Sequence, residues 1–165
     1  MWPFKQNFLK DAAGRAPLLL RHGELVAIAS LESLESFAPE FDAIAAPDLQ
    51  RAWMSLFSVS VATVALMELR TTVAPSQHEA VFDAVKIEID RANPKAFTQA
   101  VLPLLANLRE VRQGDYANVI GGYVLCALAQ LAPREARLDR LASDPACYRA
   151  VGHLILSAGH HFFRP

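Results

Sequence analysis

The stretch that decides the fold is residues 47–72, which reads PDLQRAWMSLFSVSVATVALMELRTT. Pro47 and Asp48 mark a helix start, because proline is favoured at the first helical position and an acid near the positive end of the helix dipole. At helical spacing one side carries large residues and the opposite side small ones. The side with the large residues carries Trp53, Phe57, Ser60, Val64 and Met67, and the opposite side carries Ser55, Ser58, Ala62 and Ala65. A helix that is apolar on both sides belongs in the middle of a bundle.

A second central helix is predicted at about 116–131. The sequence is uncharged from Tyr116 to Ala132 and holds Gly121 and Gly122 in its interior. Two glycines inside a helix cost about 2 kcal/mol of helix propensity relative to alanine. We therefore expect this helix to lie in close contact with a neighbouring backbone.

Prolines and capping residues divide the rest of the chain into outer helices. They are expected at about 77–91, 94–114, 134–142 and 145–161. The fold class predicted for 1–165 is therefore an all-α single domain, a bundle of five to seven helices.

Residues 1–46 are less clearly defined than the bundle at 47–165. Apolar residues recur at roughly threefold spacing in 24–38, which favours a helix. A small β-hairpin near 17–30 is the minor alternative, because Gly23 accepts the positive φ that a tight turn requires. An isolated hairpin is only marginally stable in water, so the helix is preferred.

The composition restricts the class of partner. The chain has 165 residues, a formal net charge of −1 at pH 7, 53% hydrophobic residues and 20% charged residues. A nearly neutral chain lacks the field that attracts nucleic acid, so no nucleic-acid partner is predicted. With so few charged residues, some apolar side chains are expected to remain at the surface. This favours self-association or docking on a protein.

The chain is predicted to be cytoplasmic and to have no transmembrane segment. The uncharged stretch from Ala52 to Met67 is shorter than the roughly 20 apolar residues that a spanning helix needs. The N-terminus shows no continuous apolar segment of the kind that directs export. Cys126 and Cys147 lack the spacing of a zinc site or a disulfide framework, so both are expected to be reduced and buried.

Common catalytic, phosphate-binding and zinc motifs are absent from the sequence, and neither a metal nor a cofactor is predicted. His153 and His160 lie two helical turns apart, roughly 10.5 Å along the axis, too far to bind one metal without a partner elsewhere. Together with Arg149 they share one helix face. That face is expected to be solvated or to form an interface.

A pocket for a small molecule or cofactor is the second hypothesis. It would lie between the two central helices, near Gly121 and Gly122, bounded by a kink at Pro103. His78 or Glu88 would supply a polar contact. Glu88 has a competing interpretation, an ion pair with Arg91 one turn along the same helix.

The leading hypothesis is a non-enzymatic interaction module that self-associates or docks on a protein partner. Its expected contact elements are the Arg149, His153 and His160 face and an amphipathic N-terminal segment. The apolar residues of that segment are Trp2, Phe4, Phe8 and Leu9. The alternative function is the small-molecule or cofactor binder.

Overall fold

The computed structural model describes residues 11–164, and in this range it contains helices and no strands. The all-α prediction is confirmed. The nine α-helices of the described range are α1 (Ala16–Ala29), α2 (Leu31–Phe37), α3 (Pro47–Met67), α4 (Leu69–Thr72), α5 (His78–Ala92), α6 (Leu102–Glu110), α7 (Tyr116–Leu131), α8 (Ala136–Leu141) and α9 (Pro145–Gly159). This exceeds the predicted five to seven, because the chain breaks at Ser30 and Glu68 where longer helices were expected.

Short irregular helices connect these elements. Four are 3-10 helices and one is a π-helical turn: Ala13–Arg15, Pro39–Ala45, Pro75–Gln77 and Gln113–Asp115, with the π turn at Phe97–Val101. They carry the chain between longer helices whose apolar faces form one contiguous cluster of buried side chains.

α1 shows that the alternative β-hairpin at 17–30 is wrong. Ala16–Ala29 is a continuous helix, and Gly23 lies in its interior. Gly23 allows α1 to approach α3 closely, because a β-carbon at this position would lie 2.7 Å from the Cα atom of Ser58 in α3. Small residues on both helices therefore let α1 pack closely on α3, as the row of small residues on the central helix predicted.

α3 is the central helix that its sequence predicted. Every residue from Phe57 to Leu66 is buried. The buried hydroxyl groups of Ser60 and Thr63 donate hydrogen bonds to carbonyl oxygens one turn earlier, at 2.8 and 2.9 Å, so their burial leaves no unsatisfied donor. The helix ends at Met67 rather than at 72, because Glu68 adopts φ −90° and ψ 0° outside the helical region.

The length and composition of Pro47–Met67 are sufficient for a membrane span. Core helices of soluble proteins meet the same two criteria. Of the apolar window in this helix, 56% is buried within the structure. Packing against α1, α7 and α9 accounts for its apolar character.

α7 and α9 cross at a pair of glycines. A β-carbon on Gly121 would overlap the backbone carbonyl of Tyr148, and one on Gly152 would overlap the backbone carbonyl of Ala117. The close backbone contact predicted for Gly121 is therefore confirmed. Its partner is α9, and the predicted bounds of α7 match the structure.

α9 begins as predicted but ends earlier. The Asp144 carboxylate accepts the backbone N–H of Ala146 at 2.9 Å, and Pro145 occupies the first turn. The helix stops at Gly159 instead of about 161, because His160 is extended and His161 has a φ of 59°. This early stop places the last histidines outside the helix.

The predicted helix at 94–114 is shorter than expected and contains a π-helical turn: the turn Phe97–Val101 runs without interruption into α6, which ends at Glu110. Pro103 lies in the first turn of α6. Pro103 therefore lies inside a longer helical stretch, where it lacks the N–H of a regular helix, and the π-helical turn directly precedes it. A helix in this region is therefore confirmed, with shorter bounds than predicted.

Two arginines of α8 form ion pairs with the segment that precedes α3. Arg137 binds Asp42 at 2.7 Å and Glu135 at 2.8 Å. Arg140 lies 3.8 Å from Glu40. Leu138 is buried beneath them. Ion pairs thus join α8 to the segment before α3.

Candidate functional site

Glu68, His160 and His161 come together where the ends of α3 and α9 meet. One carboxylate oxygen of Glu68 pairs with Nδ1 of His160. The other accepts the backbone N–H of His161 at 3.0 Å and lies 3.9 Å from its Nδ1 atom. One potential ligand atom of each residue lies within 4.8 Å of the other two. We call these three residues the Glu-His-His cluster.

The backbone after α9 turns both imidazole rings toward Glu68. His160 is extended, whereas His161 occupies the left-handed region with a φ of 59°. A non-glycine residue in that region costs about 1–3 kcal/mol and persists where its surroundings hold it. Here the Glu68 carboxylate holds the His161 N–H, and the two ring centroids are 3.8 Å apart.

The chain beyond the cluster is fixed by Arg15. Its guanidinium donates hydrogen bonds to the carbonyl oxygens of Phe163 at 2.6 Å and Arg164 at 2.7 Å. The Phe163 side chain is buried in the core. The two histidines therefore lie between a helix end and an anchored C-terminal turn, which limits their freedom.

The surroundings of His161 favour its neutral form. Burial lowers the pKa of this imidazole, and the nearby charges of Arg164 and His160 lower it further, against the opposing effect of Glu68. A neutral imidazole keeps a lone pair available to a metal ion.

A second feature is an exposed apolar face on α1. Leu18, Leu25 and Ile28 are 47%, 61% and 40% exposed. Arg21 and Glu24 lie on the same side of the helix and are also exposed. We call these five residues the α1 face. A groove of about 610 Å³ runs along its edge and is bordered by Met54 of α3.

Of the predicted pocket residues, His78 alone borders a pocket of about 270 Å³, which Phe82 and Leu105 also line. Its Nε2 atom lies 2.7 Å from the carbonyl oxygen of Val73. Glu88 instead binds Arg91 at 2.8 Å, the competing interpretation that the sequence allowed.

Two other predicted pocket residues, Gly121 and Gly122, are used in packing, whereas Pro103 is exposed. Gly121 lies against the α9 backbone, and Gly122 faces the Tyr148 ring, 3.4 Å from where a β-carbon would be. Pro103 is in the first turn of α6. Close contact between α7 and α9 thus occupies the surroundings of Gly121 and Gly122.

The predicted interface residues are separated by the early end of α9. Arg149 and His153 are exposed on that helix, whereas His160 lies beyond it and pairs with Glu68. The N-terminal candidates Trp2, Phe4, Phe8 and Leu9 lie outside the described residues.

Glu68 could not be predicted from the sequence as a partner of His161, because 93 residues separate the two. Its only local signal is that it is the first charged residue after the uncharged stretch 52–67. Leu25 and Ile28 were part of the helical pattern, but the pattern gave no indication that they face outward.

No protein-family model, curated protein or solved structure matched the chain.

Proposed function

We propose that the chain is a non-enzymatic helical interaction module of the cytoplasm that self-associates through the α1 face. The observation that carries the proposal is the row of exposed large apolar side chains on one helix face, Leu18, Leu25 and Ile28. Buried stripes explain most apolar residues of a globular helix. These three lie outside the buried stripe of α1, which is formed by Ala16, Leu19, Gly23 and Ala27.

The charges on the α1 face suit a second copy of the same chain. A two-fold interface brings the same patch of both copies together, so each contact occurs twice. An antiparallel crossing with its axis near residue 23 places Leu18 of one copy opposite Ile28 of the other. It also brings Arg21 of each copy close to Glu24 of the other copy. Opposite charges at that position favour the paired register.

The groove beside the α1 face has room for a side chain of the second copy. It is about 610 Å³ in volume and lies between Leu25, Ile28 and Met54. Stable interfaces centre on apolar side chains that fill pockets on the partner, within a polar rim. Leu25 is the most exposed apolar residue of the α1 face, and we assign it this central role.

The experiment measures molar mass by size-exclusion chromatography with light scattering, over a concentration series of the full chain. Leu25→Arg is compared with Ile87→Arg, because Ile87 on α5 is exposed to a similar degree, 56%. We expect the wild type and Ile87→Arg to approach the mass of two chains, and Leu25→Arg to stay at the mass of one. Circular dichroism checks that both variants are folded.

A dimer that survives Leu25→Arg contradicts the proposed surface. A wild-type chain that stays monomeric at every concentration contradicts self-association itself. Native mass spectrometry on the same samples tests the alternative function, since a bound small molecule adds mass to the chain. The pocket beside His78 is where such a ligand is expected.

A further inference from the structure

We propose that Glu68, His160 and His161 form a binding site for a divalent transition-metal ion of the Zn²⁺ type. The inference is independent of self-association, because the cluster lies at the junction of α3 and α9 and shares no residue with the α1 face.

The donor set fits this class of ion. Imidazole nitrogen suits zinc, nickel, copper and iron, and a carboxylate oxygen completes the two-histidine, one-carboxylate sets that such ions accept. Metal–ligand bonds of roughly 2 Å place two donors on one ion roughly 3 to 4 Å apart. The 3.9 Å between the Glu68 oxygen and Nδ1 of His161 is already in that range.

The three donors are held in place without a metal. Glu68 lies at the break after α3, and both histidines lie in the turn after α9. The hydrogen bond from the His161 N–H to Glu68 and the two bonds from Arg15 restrain that turn. Metal binding therefore needs little additional ordering of the three ligand side chains, and the associated loss of conformational entropy is small.

The exposure of the cluster leaves room for the ion to enter. The side chains of His160 and His161 are 47% and 42% exposed, whereas that of Glu68 is 16% exposed. Three protein ligands leave the remaining coordination positions to water. Calcium and magnesium prefer sets of oxygen ligands alone, so they are expected to bind poorly here.

The test titrates Zn²⁺ into the untagged full chain by calorimetry. Three variants each remove one ligand: Glu68→Gln, His160→Ala and His161→Ala. Glu68→Gln keeps an oxygen that accepts the His161 N–H but lacks the negative charge. The matched control is His153→Ala, which removes an exposed histidine from α9. We expect one Zn²⁺ per chain, a loss of affinity of at least about tenfold in each ligand variant, and no such loss in the control.

A second readout is thermal stability. A bound metal stabilises the folded state, and at a hundredfold excess over its dissociation constant Zn²⁺ should raise the Tm by roughly 5–10 °C. The increase should disappear in His160→Ala and Glu68→Gln, and Ca²⁺ should produce none. Circular dichroism without metal confirms that each variant is folded.

Three outcomes overturn the site. Zn²⁺ does not bind the wild-type chain, or Zn²⁺ binds equally well when Glu68 or His160 is replaced. The third is that His153→Ala weakens binding as much as the ligand variants do, which would indicate ordinary surface histidines. The oligomeric state in the same experiment separates failure of this site from failure of the α1 face.

Discussion

Gly121 of α7 lies directly against the backbone carbonyl of Tyr148 in α9, with no space for a β-carbon between them. Gly122, the next residue, has ordinary contact distance to the Tyr148 ring. We predict that Gly121→Ala destabilises the protein by at least about 2 kcal/mol, because the helices must separate. Gly122→Ala should change stability by less than about 1 kcal/mol, since alanine has the better helix propensity. Urea unfolding of both variants checks this, and equal effects would mean that the helices do not cross at Gly121.

Arg15 should control the order of the C-terminal turn. Arg15→Lys keeps the charge but loses the geometry that binds the carbonyl groups of Phe163 and Arg164 together. We predict faster hydrogen exchange at the Arg164 amide, which donates to the carbonyl oxygen of His161 at 2.9 Å. Amides inside α7 provide the control and should exchange at unchanged rates. Unchanged protection at Arg164 would show that Arg15 does not anchor the turn.

The two cysteines should differ in reactivity. Cys126 is exposed, contrary to the expectation from sequence, and Cys147 is buried. Burial and the nearby Asp144 carboxylate raise the pKa of the Cys147 thiol to about 11, which leaves little thiolate at neutral pH. A chromogenic disulfide reagent should titrate one thiol quickly in the folded protein and both after unfolding. Rapid reaction of the folded Cys126→Ser variant would contradict the packing of α9.

Acid should weaken the ion pair between Glu135 and Arg137 at the start of α8. The Arg137 guanidinium lowers the pKa of Glu135 from its ordinary 4.5 to about 2. A carboxylate with a lowered folded-state pKa contributes stability above its unfolded value, and the contribution is lost as the pH falls from about 4.5 toward 2. We predict that the free energy of unfolding falls more steeply in this window for wild type than for Glu135→Gln. Parallel curves for the two proteins would exclude this role.

Much of the architecture was predictable because its signals are local. Opposed large and small faces identified α3 as the central helix, and the bounds of α7 followed from an uncharged stretch ended by Pro133. Asp144 and Pro145 marked the start of α9. Caps, prolines and helical spacing act within a few residues, so a single sequence displays them.

The candidate surfaces depend on contacts that are distant in sequence. Nothing near His160 indicates that Glu68 lies beside it, since the contact depends on where α3 breaks and where α9 ends. The spacing of Leu25 and Ile28 predicted a helix correctly, but the buried side of α1 is set by α3 through Gly23 and Ser58. Gly121, which was expected near a pocket, lies against the α9 backbone, a contact that is equally distant in sequence.

The measurement that tests the central claim most directly is a charge-reversal mixing experiment on the α1 face, followed by sedimentation velocity. Arg21→Glu places two acids opposite each other across the proposed two-fold axis, and Glu24→Arg places two bases there. We predict that each variant alone dimerises more weakly than wild type. An equal mixture of the two should restore dimerisation, because heterodimers of one copy of each variant pair opposite charges again. If the single variants dimerise as wild type does, or if mixing them restores nothing, self-association through α1 is contradicted.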